Sequence, residues 1–251
     1  MTVPEFLPHL PADLILKQLA RRPGNEVKSG KFDSPESSAA LVANGFGRFL
    51  SQPADLPPLP GVPMGPVRTV ELEAEVRFPW SGGRHPWLDV AISTDTTLIG
   101  IESKRYEPYR PAKASGFSEV YDRPVWGENM ARHIRLMHDL VAGRVVFQAL
   151  DAVQLVKHAL GLRTRAEKRA LGAVLVYLHA EPPLWAGSGK PVDPARIALH
   201  RREVAQYAGL VRGDQVAFVA LRWADLVADW AAKPALAPHA AALTARFGPL
   251  N

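Results

Sequence analysis

Cysteine is absent from the 251 residues. Its absence excludes disulfides, zinc–thiolate sites, iron–sulfur clusters and a cysteine nucleophile. No uncharged apolar run reaches the roughly 18–20 residues of a spanning helix, and the longest candidate, Ala170 to Leu178, has the length of a strand. The opening Met1-Thr2-Val3-Pro4-Glu5-Phe6 has no basic region followed by an apolar core. No secretory leader is read there, and a cytoplasmic protein without a membrane partner is expected. A Walker-type phosphate loop and a Gly-x-Ser-x-Gly elbow are also missing. The eight histidines, His85, His133 and His138 among them, form no His-x(3)-His pair beside an acid, so no metal is assigned to them.

What is present is an ordinary globular composition, 47% hydrophobic and 22% charged, which is enough to bury a core and is unlike a disordered chain. Lys and Arg outnumber Asp and Glu by 30 to 25, a net charge of +5. An excess of this sign favours an anionic partner; DNA is the first expectation, with RNA and a homodimer left open. The 23 prolines cluster near residues 53–66 and 182–195 and punctuate loops.

Along the chain, Ser34-Pro35-Glu36 starts a helix, with Ser34 as cap and Pro35 at the first helical position, running to about Leu50. Residues 52–67 form a proline-rich connection. Val70 to Phe78 alternates apolar and charged residues as a half-buried strand does. The turn Ser81-Gly82-Gly83 precedes strands over Trp87–Thr94 and Thr97–Arg105. An insertion over 106–143 carries one helix near 128–141, and Val145–Leu160 is a helix ended by Gly161. A buried strand at Leu171–Leu178, a helix from about Pro194 to Leu210, a strand at Val216–Trp223 and two alanine-rich helices complete the order. The expected architecture is α/β, a mixed central sheet flanked by helices. It forms one domain over 1–251, with a core at about 34–179 and a C-terminal α/β extension at about 180–251.

The informative stretch runs from Trp87 to Lys104. With Asp95-Thr96 as a two-residue hairpin loop, Ile92 faces Ile99, Val90 faces Ile101 and Asp89 faces Glu102. Directly opposed residues share a face, with Cβ atoms about 4.5–5.5 Å apart. Lys104 lies two residues beyond Glu102 and joins that face. Leu88, Val90 and Ile92 with Ile99, Ile101 and Ser103 make the core face, while Ala91 and Gly100 beside the acids leave room for an ion or a substrate. A one-residue slip would expose the isoleucines, so the hydrophobic pattern sets the register. Two adjacent carboxylates repel, and a divalent cation between them relieves this. Asp89, Glu102 and the Ser103 carbonyl form a hard oxygen set suited to Mg²⁺ or Mn²⁺. Such an ion stabilises charge on a phosphoryl oxygen, and Lys104 would stand beside the attacking water.

Asp89 and Glu102-Ser103-Lys104, in the order helix, three antiparallel strands, helix, strand, resemble the PD-(D/E)XK superfamily and its restriction-endonuclease-like fold. The resemblance covers roughly residues 34–179, with 106–143 as an insertion; Pro86-Trp87-Leu88-Asp89 stands where many members have Pro-Asp. It implies Mg²⁺-dependent cleavage of DNA, as an endonuclease or exonuclease. The alternative is a non-catalytic nucleic-acid-binding or protein-interaction module on the same fold. The resemblance also implies a further acid from the first helix, matched by Glu36 with Glu75 as rival, and a glutamine after the lysine strand, matched by Gln154. Lys157 shares a helix face with Gln154. Arg105, Lys157, Arg163 and Arg165 are candidate nucleic-acid contacts, Arg163 and Arg165 as part of a basic loop with Lys168 and Arg169. Tyr106, Tyr109, Phe117, Tyr121 and Trp126, interleaved with Arg105, Arg110, Lys113 and Arg123, either stack on bases or form a satellite core.

Overall fold

The computed structural model describes residues 4–22, 27–111 and 115–251. Lys113 lies outside the described residues. Five strands form one sheet: β1 (Val67–Glu75), β2 (Trp87–Thr94), β3 (Thr97–Lys104), β4 (Gly172–His179) and β5 (Val216–Arg222), ordered β1-β2-β3-β4-β5. The first three are antiparallel, and β3, β4 and β5 run parallel. The helices are α1 (Ala12–Leu19), α2 (Ser38–Phe46), α3 (Ala131–Val141), α4 (Ala152–Glu167), α5 (Pro194–Val211), α6 (Trp223–Ala231) and α7 (Ala237–Phe247). Among the described residues none is long and apolar enough to cross a membrane.

Two cores result. One gathers Ile15 of α1, Leu41 and Phe46 of α2, Trp223 and Trp230 of α6 and Leu243 of α7 with Val90, Ile92, Ile99, Ile101 and Val176 of the sheet. The other gathers Leu136 of α3, Leu155 and Leu160 of α4 and Tyr207 of α5 with Leu98 and Leu175. The molecule is thus an α/β protein with a mixed sheet between helical layers. Residues beyond 180 belong to the same layers: β5 extends the sheet and α6 and α7 complete the first core.

The β2–β3 hairpin has the register the apolar pattern demands, with Val90 opposite Ile101, Ala91 opposite Gly100 and Ile92 opposite Ile99. The Thr94 hydroxyl accepts from Thr96 N and Thr97 N at 3.2 and 2.9 Å and closes the Asp95-Thr96 turn. Alternation is interrupted, however. Leu72, Val90 and Ile92 lie in the first core, whereas Val76, Phe78 and Leu88 lie in the second. Leu88 is therefore not on the face of Val90 and Ile92. The phase changes around Glu73 and Asp89, and Glu73 has φ of 47° there. The space at Gly100 is also spoken for: a Cβ there would meet Leu88 Cδ1 at 2.6 Å and Leu162 at 3.2 Å, so this glycine admits side chains rather than an ion.

Three elements differ in extent from the sequence expectation, the two helices for a local reason. The strand expected over 70–78 spans Val67–Glu75. The helix expected over 34–50 is Ser38–Phe46, because Ser37 rather than Ser34 caps it, accepting from Ala40 N at 3.0 Å. The Ser34 hydroxyl instead accepts from Glu36 N in a local turn. The helix expected over 145–160 is Ala152–Glu167, capped by Asp151. The buried Glu203 carboxylate takes the N–H groups of Gln148, Ala149 and Leu150, all at 2.8 Å, and holds that segment out of the helix. Gly161 does not end α4 but lies inside it, where a Cβ would meet Val76 O at 2.7 Å. Glycine there lets helix and strand touch.

Candidate active site

The β2–β3 ladder stops at the Val90–Ile101 pair, and the Asp89 side chain continues it: Oδ2 accepts from Ser103 N at 2.7 Å. This bond pins a half-buried carboxylate against the backbone between Glu102 and Lys104. Two residues apart on one face of β3, Glu102 and Lys104 meet directly, Lys104 Nζ donating to Glu102 Oε1. The Glu102 side chain is only 3% exposed, while Lys104 keeps 18%. The lysine is thus the member of the pair with access to solvent.

Glu73 joins them from β1. Leu72 pairs with Val90 and Ala74 with Leu88, which sets Glu73 opposite Asp89. Arg22, just after α1, donates to Glu73 Oε2 at 2.9 Å. Burial first, then Asp89, pushes the Glu73 carboxyl up to about 7. Burial and then Glu102 push Asp89 up to about 7. Burial also raises Glu102, against the opposing pull of Lys104. For Lys104, burial works against the charge, but Glu102, Asp89 and Glu107 outweigh it and hold the ammonium above the ordinary lysine value. Three acids thus share a site with two cations, Lys104 and Arg22, that do not fully neutralise their repulsion.

Two further groups border the cluster. Glu107 accepts from Arg105 N at 2.8 Å, from Tyr106 N at 3.0 Å and from the Ser38 hydroxyl. Although burial opposes it, Lys104 and these donors hold Glu107 below the usual carboxylate range. His158 of α4 places Nδ1 3.2 Å from Glu102 Oε2, off the line of a hydrogen bond. Burial, then Lys104, lowers its pKa to about 3, so it is neutral at ordinary pH. A cleft of about 560 Å³ opens beside Lys104 and Glu107, walled by Tyr177 and by the 145–154 segment, including Gln154.

Of the residues singled out from the sequence, Asp89, Glu102, Ser103 and Lys104 come together, and Gln154 lines the adjoining cleft. Glu36 does not join them: it accepts from Arg110 and from Gly187 N. Glu75 turns to Arg77 at 3.8 Å. Arg105 is buried, donating to Pro35 O and Phe247 O, so its guanidinium ties α7 to the loop before α2 and has no surface to offer a phosphate. Arg163 and Arg165 lie on α4 rather than in a loop, paired with Glu167 and Glu71. Lys157 donates to Gly116 O at 2.6 Å and lies over the Phe117 and Tyr121 rings. Tyr106 and Tyr109 form a small core with Val192, and Tyr121 and Trp126 belong to the second main core.

Glu73 and His158 escaped the sequence reading. Glu73 stands in a row of three strand glutamates that alternation assigns to solvent, and only the phase change around it turns it inward. His158 follows Lys157 with no acid at a ligand spacing on its own helix; its partner, Glu102, comes from β3.

Asp89 and Glu102 are the pair that could hold a hard divalent cation. Both are carboxylates on adjacent strands, drawn together by the Asp89–Ser103 bond, and a hard cation takes oxygen donors. Among the described residues no three His, Asp or Glu side chains converge as a ready-made cage. Mg²⁺ commonly takes one or two carboxylates and completes its shell with water and other oxygens. Comparison with family models, with curated proteins and with solved structures returned no match.

Proposed function

We propose that this chain is a metal-dependent phosphodiesterase acting on nucleic acid, DNA before RNA, built on a restriction-endonuclease-like core of the PD-(D/E)XK type. The observation that carries the reading is the Asp89–Ser103 hydrogen bond, which draws a carboxylate from β2 against Glu102 and Lys104 of β3. The strand order supports it too: an antiparallel β1-β2-β3 unit, a helix, and β4 parallel to β3.

Asp89 and Glu102, with the Ser103 carbonyl and water, would hold Mg²⁺ or Mn²⁺, which would supply electrostatic stabilisation of the phosphoryl group and a more acidic water. Lys104 stays cationic at all relevant pH values and faces the cleft, where it stabilises the extra negative charge of the phosphoryl transition state. It therefore orients the nucleophile and acts as no base. Glu107, kept ionised, and Glu102 hold the ammonium in place. Neutral His158 packs against Glu102 and keeps water from its inner side.

The test is cleavage of single-stranded DNA, duplex DNA and RNA with Mg²⁺ or Mn²⁺. Asp89→Ala, Glu102→Ala and Lys104→Ala are expected to lose cleavage by about 100-fold or more while keeping their circular dichroism spectrum. Wild-type protein that cleaves none of the three and takes up neither metal in a calorimetric titration sinks the proposal. Salt-sensitive binding without cleavage would favour a non-catalytic module on the same fold.

A further inference from the structure

A second groove, of about 410 Å³, lies beside the connection between β1 and β2 and is lined by Trp80, Arg84, Tyr121, Arg123, Lys157 and the Gly116 backbone. Its walls are aromatic and its charge is of one sign. Arg84 and Arg123 are exposed, and among the described residues Arg84, Arg123 and Lys157 have no carboxylate within ion-pair distance. Instead the cations rest on rings: Arg123 lies 5.2 Å from the Trp80 centroid, and Lys157 lies 5.6 Å from that of Tyr121. On the same helical layer Arg163 and Arg165, by contrast, are paired with Glu167 and Glu71. Cations without a carboxylate partner beside the half-buried Trp80 ring are a site for a ligand that is anionic and carries a flat ring.

The groove lies next to the Lys104 cleft along α4. Gln154 lines the Lys104 cleft and Lys157 lines this groove, and residues three apart on a helix share a face. Ser115 and Gly116, successive residues, border the one and the other. His158, which touches Glu102, follows Lys157 directly. The first two turns of α4 are thus the ridge between the two openings.

We infer that this groove binds the single-stranded segment of the nucleic-acid substrate, with an unpaired base against Trp80 and phosphates on Arg84, Arg123 and Lys157, and leads it over α4 to Lys104. The inference rests on the phosphodiesterase reading for its ligand class and names the substrate more closely. Aromatic faces are open only to bases that are not already stacked in a helix, which is why a single strand and not a duplex fits. Its phosphates supply the negative charge that the three cations lack.

The experiment is fluorescence anisotropy of a labelled short oligothymidylate and of a duplex of equal length, in EDTA so that nothing is cleaved. Wild-type protein is expected to prefer the single strand and to lose affinity with salt. The Arg84→Glu/Arg123→Glu double variant, altered only at exposed positions, is expected to bind the single strand about tenfold more weakly or worse and with a flatter salt dependence. Its thermal melt should match wild type. Equal affinity of the variant and wild type overturns the inference, as does equal wild-type affinity for the duplex or for a phosphorylated peptide. Lys104→Ala is expected to keep binding and lose cleavage, which separates the two ideas. Binding through the groove without any cleavage by wild type leaves this inference standing and removes the phosphodiesterase. Cleavage by wild type with unchanged binding by the double variant does the reverse.

Discussion

Glu73 stands opposite Asp89 across the β1–β2 ladder, its backbone in the left-handed region at φ 47°, and burial followed by Asp89 pushes its carboxyl up to about 7. A non-glycine residue in that region costs roughly 1–3 kcal/mol and persists only where its surroundings enforce it. Here the enforcement is visible. Arg22 holds the carboxylate, and the strand changes which core it serves at this position.

The first prediction concerns pH. Folded Asp89 and Glu73 bind their protons more tightly than the unfolded chain does, whose carboxyls release them near 3.8 and 4.5. Between those values and about 7 the unfolded chain has fewer protons bound, so stability without metal falls as pH rises through this window. Asp89→Asn keeps an oxygen for Ser103 N but removes the charge. Its metal-free melting temperature is expected to exceed wild type by roughly 3 °C or more at pH 8 and to match it near pH 4. Mn²⁺, which needs ionised carboxylates, should raise the wild-type melting temperature more at pH 8 than at pH 6, and should leave Asp89→Asn unmoved. Differential scanning calorimetry reads both.

Ser103 offers a test that separates side chain from backbone. Its hydroxyl accepts from the buried Trp223 Nε1 at 3.0 Å, while its carbonyl is the atom assigned to the cation. Ser103→Ala is expected to lose about 1–3 kcal/mol of stability, the cost of a stranded indole N–H. Metal-dependent cleavage per folded molecule should persist. A variant that melts like wild type but is inactive would show that the hydroxyl, not the carbonyl, serves the site.

Glu203 shapes the cleft from outside it. Its carboxylate accepts three backbone N–H groups from the 148–150 segment that walls the opening beside Lys104. Glu203→Ala is expected to cost about 2–4 kcal/mol in urea unfolding, since hydrogen bonds to a charged acceptor are the stronger kind. Loosening of this wall should raise KM more than it lowers kcat.

Two glycines on helices should respond in opposite directions. Gly161→Ala drives a methyl into Val76 O and is expected to destabilise by about 1–3 kcal/mol despite the better helix propensity of alanine. Gly209 of α5 has open space around it, so Gly209→Ala is expected to stabilise by about 0.4–1 kcal/mol. Thermal melts of the two proteins provide the comparison.

Much of the core arrangement was legible from short-range pattern. The hairpin register followed from Ile92, Ile99, Val90 and Ile101, because a period of two leaves a single register that buries them all. Boundaries set by competing donors were not legible. Nothing near Gln148 in sequence announces that Glu203 will take its N–H, and nothing near Ser34 says that Ser37 will cap instead. Arg105 shows the same limit: adjacent to the Glu-x-Lys motif, it looks like a phosphate contact until the carbonyls of Pro35 and Phe247 bury it.

The sequence by itself determined the β2–β3 register through Val90–Ile101 and Ile92–Ile99, since that depends only on strand periodicity and a two-residue turn, and this carries Asp89 to the neighbourhood of Glu102 and Lys104. Tertiary structure alone decided which other charges complete the site. Glu73 enters through an interruption of that same periodicity, Arg22 and Glu107 come from the ends of distant elements, and His158 descends from a helix that packs on the sheet. Local pattern specifies neighbours within a ladder, whereas the partners of a buried charge are chosen by whatever the whole fold packs against it.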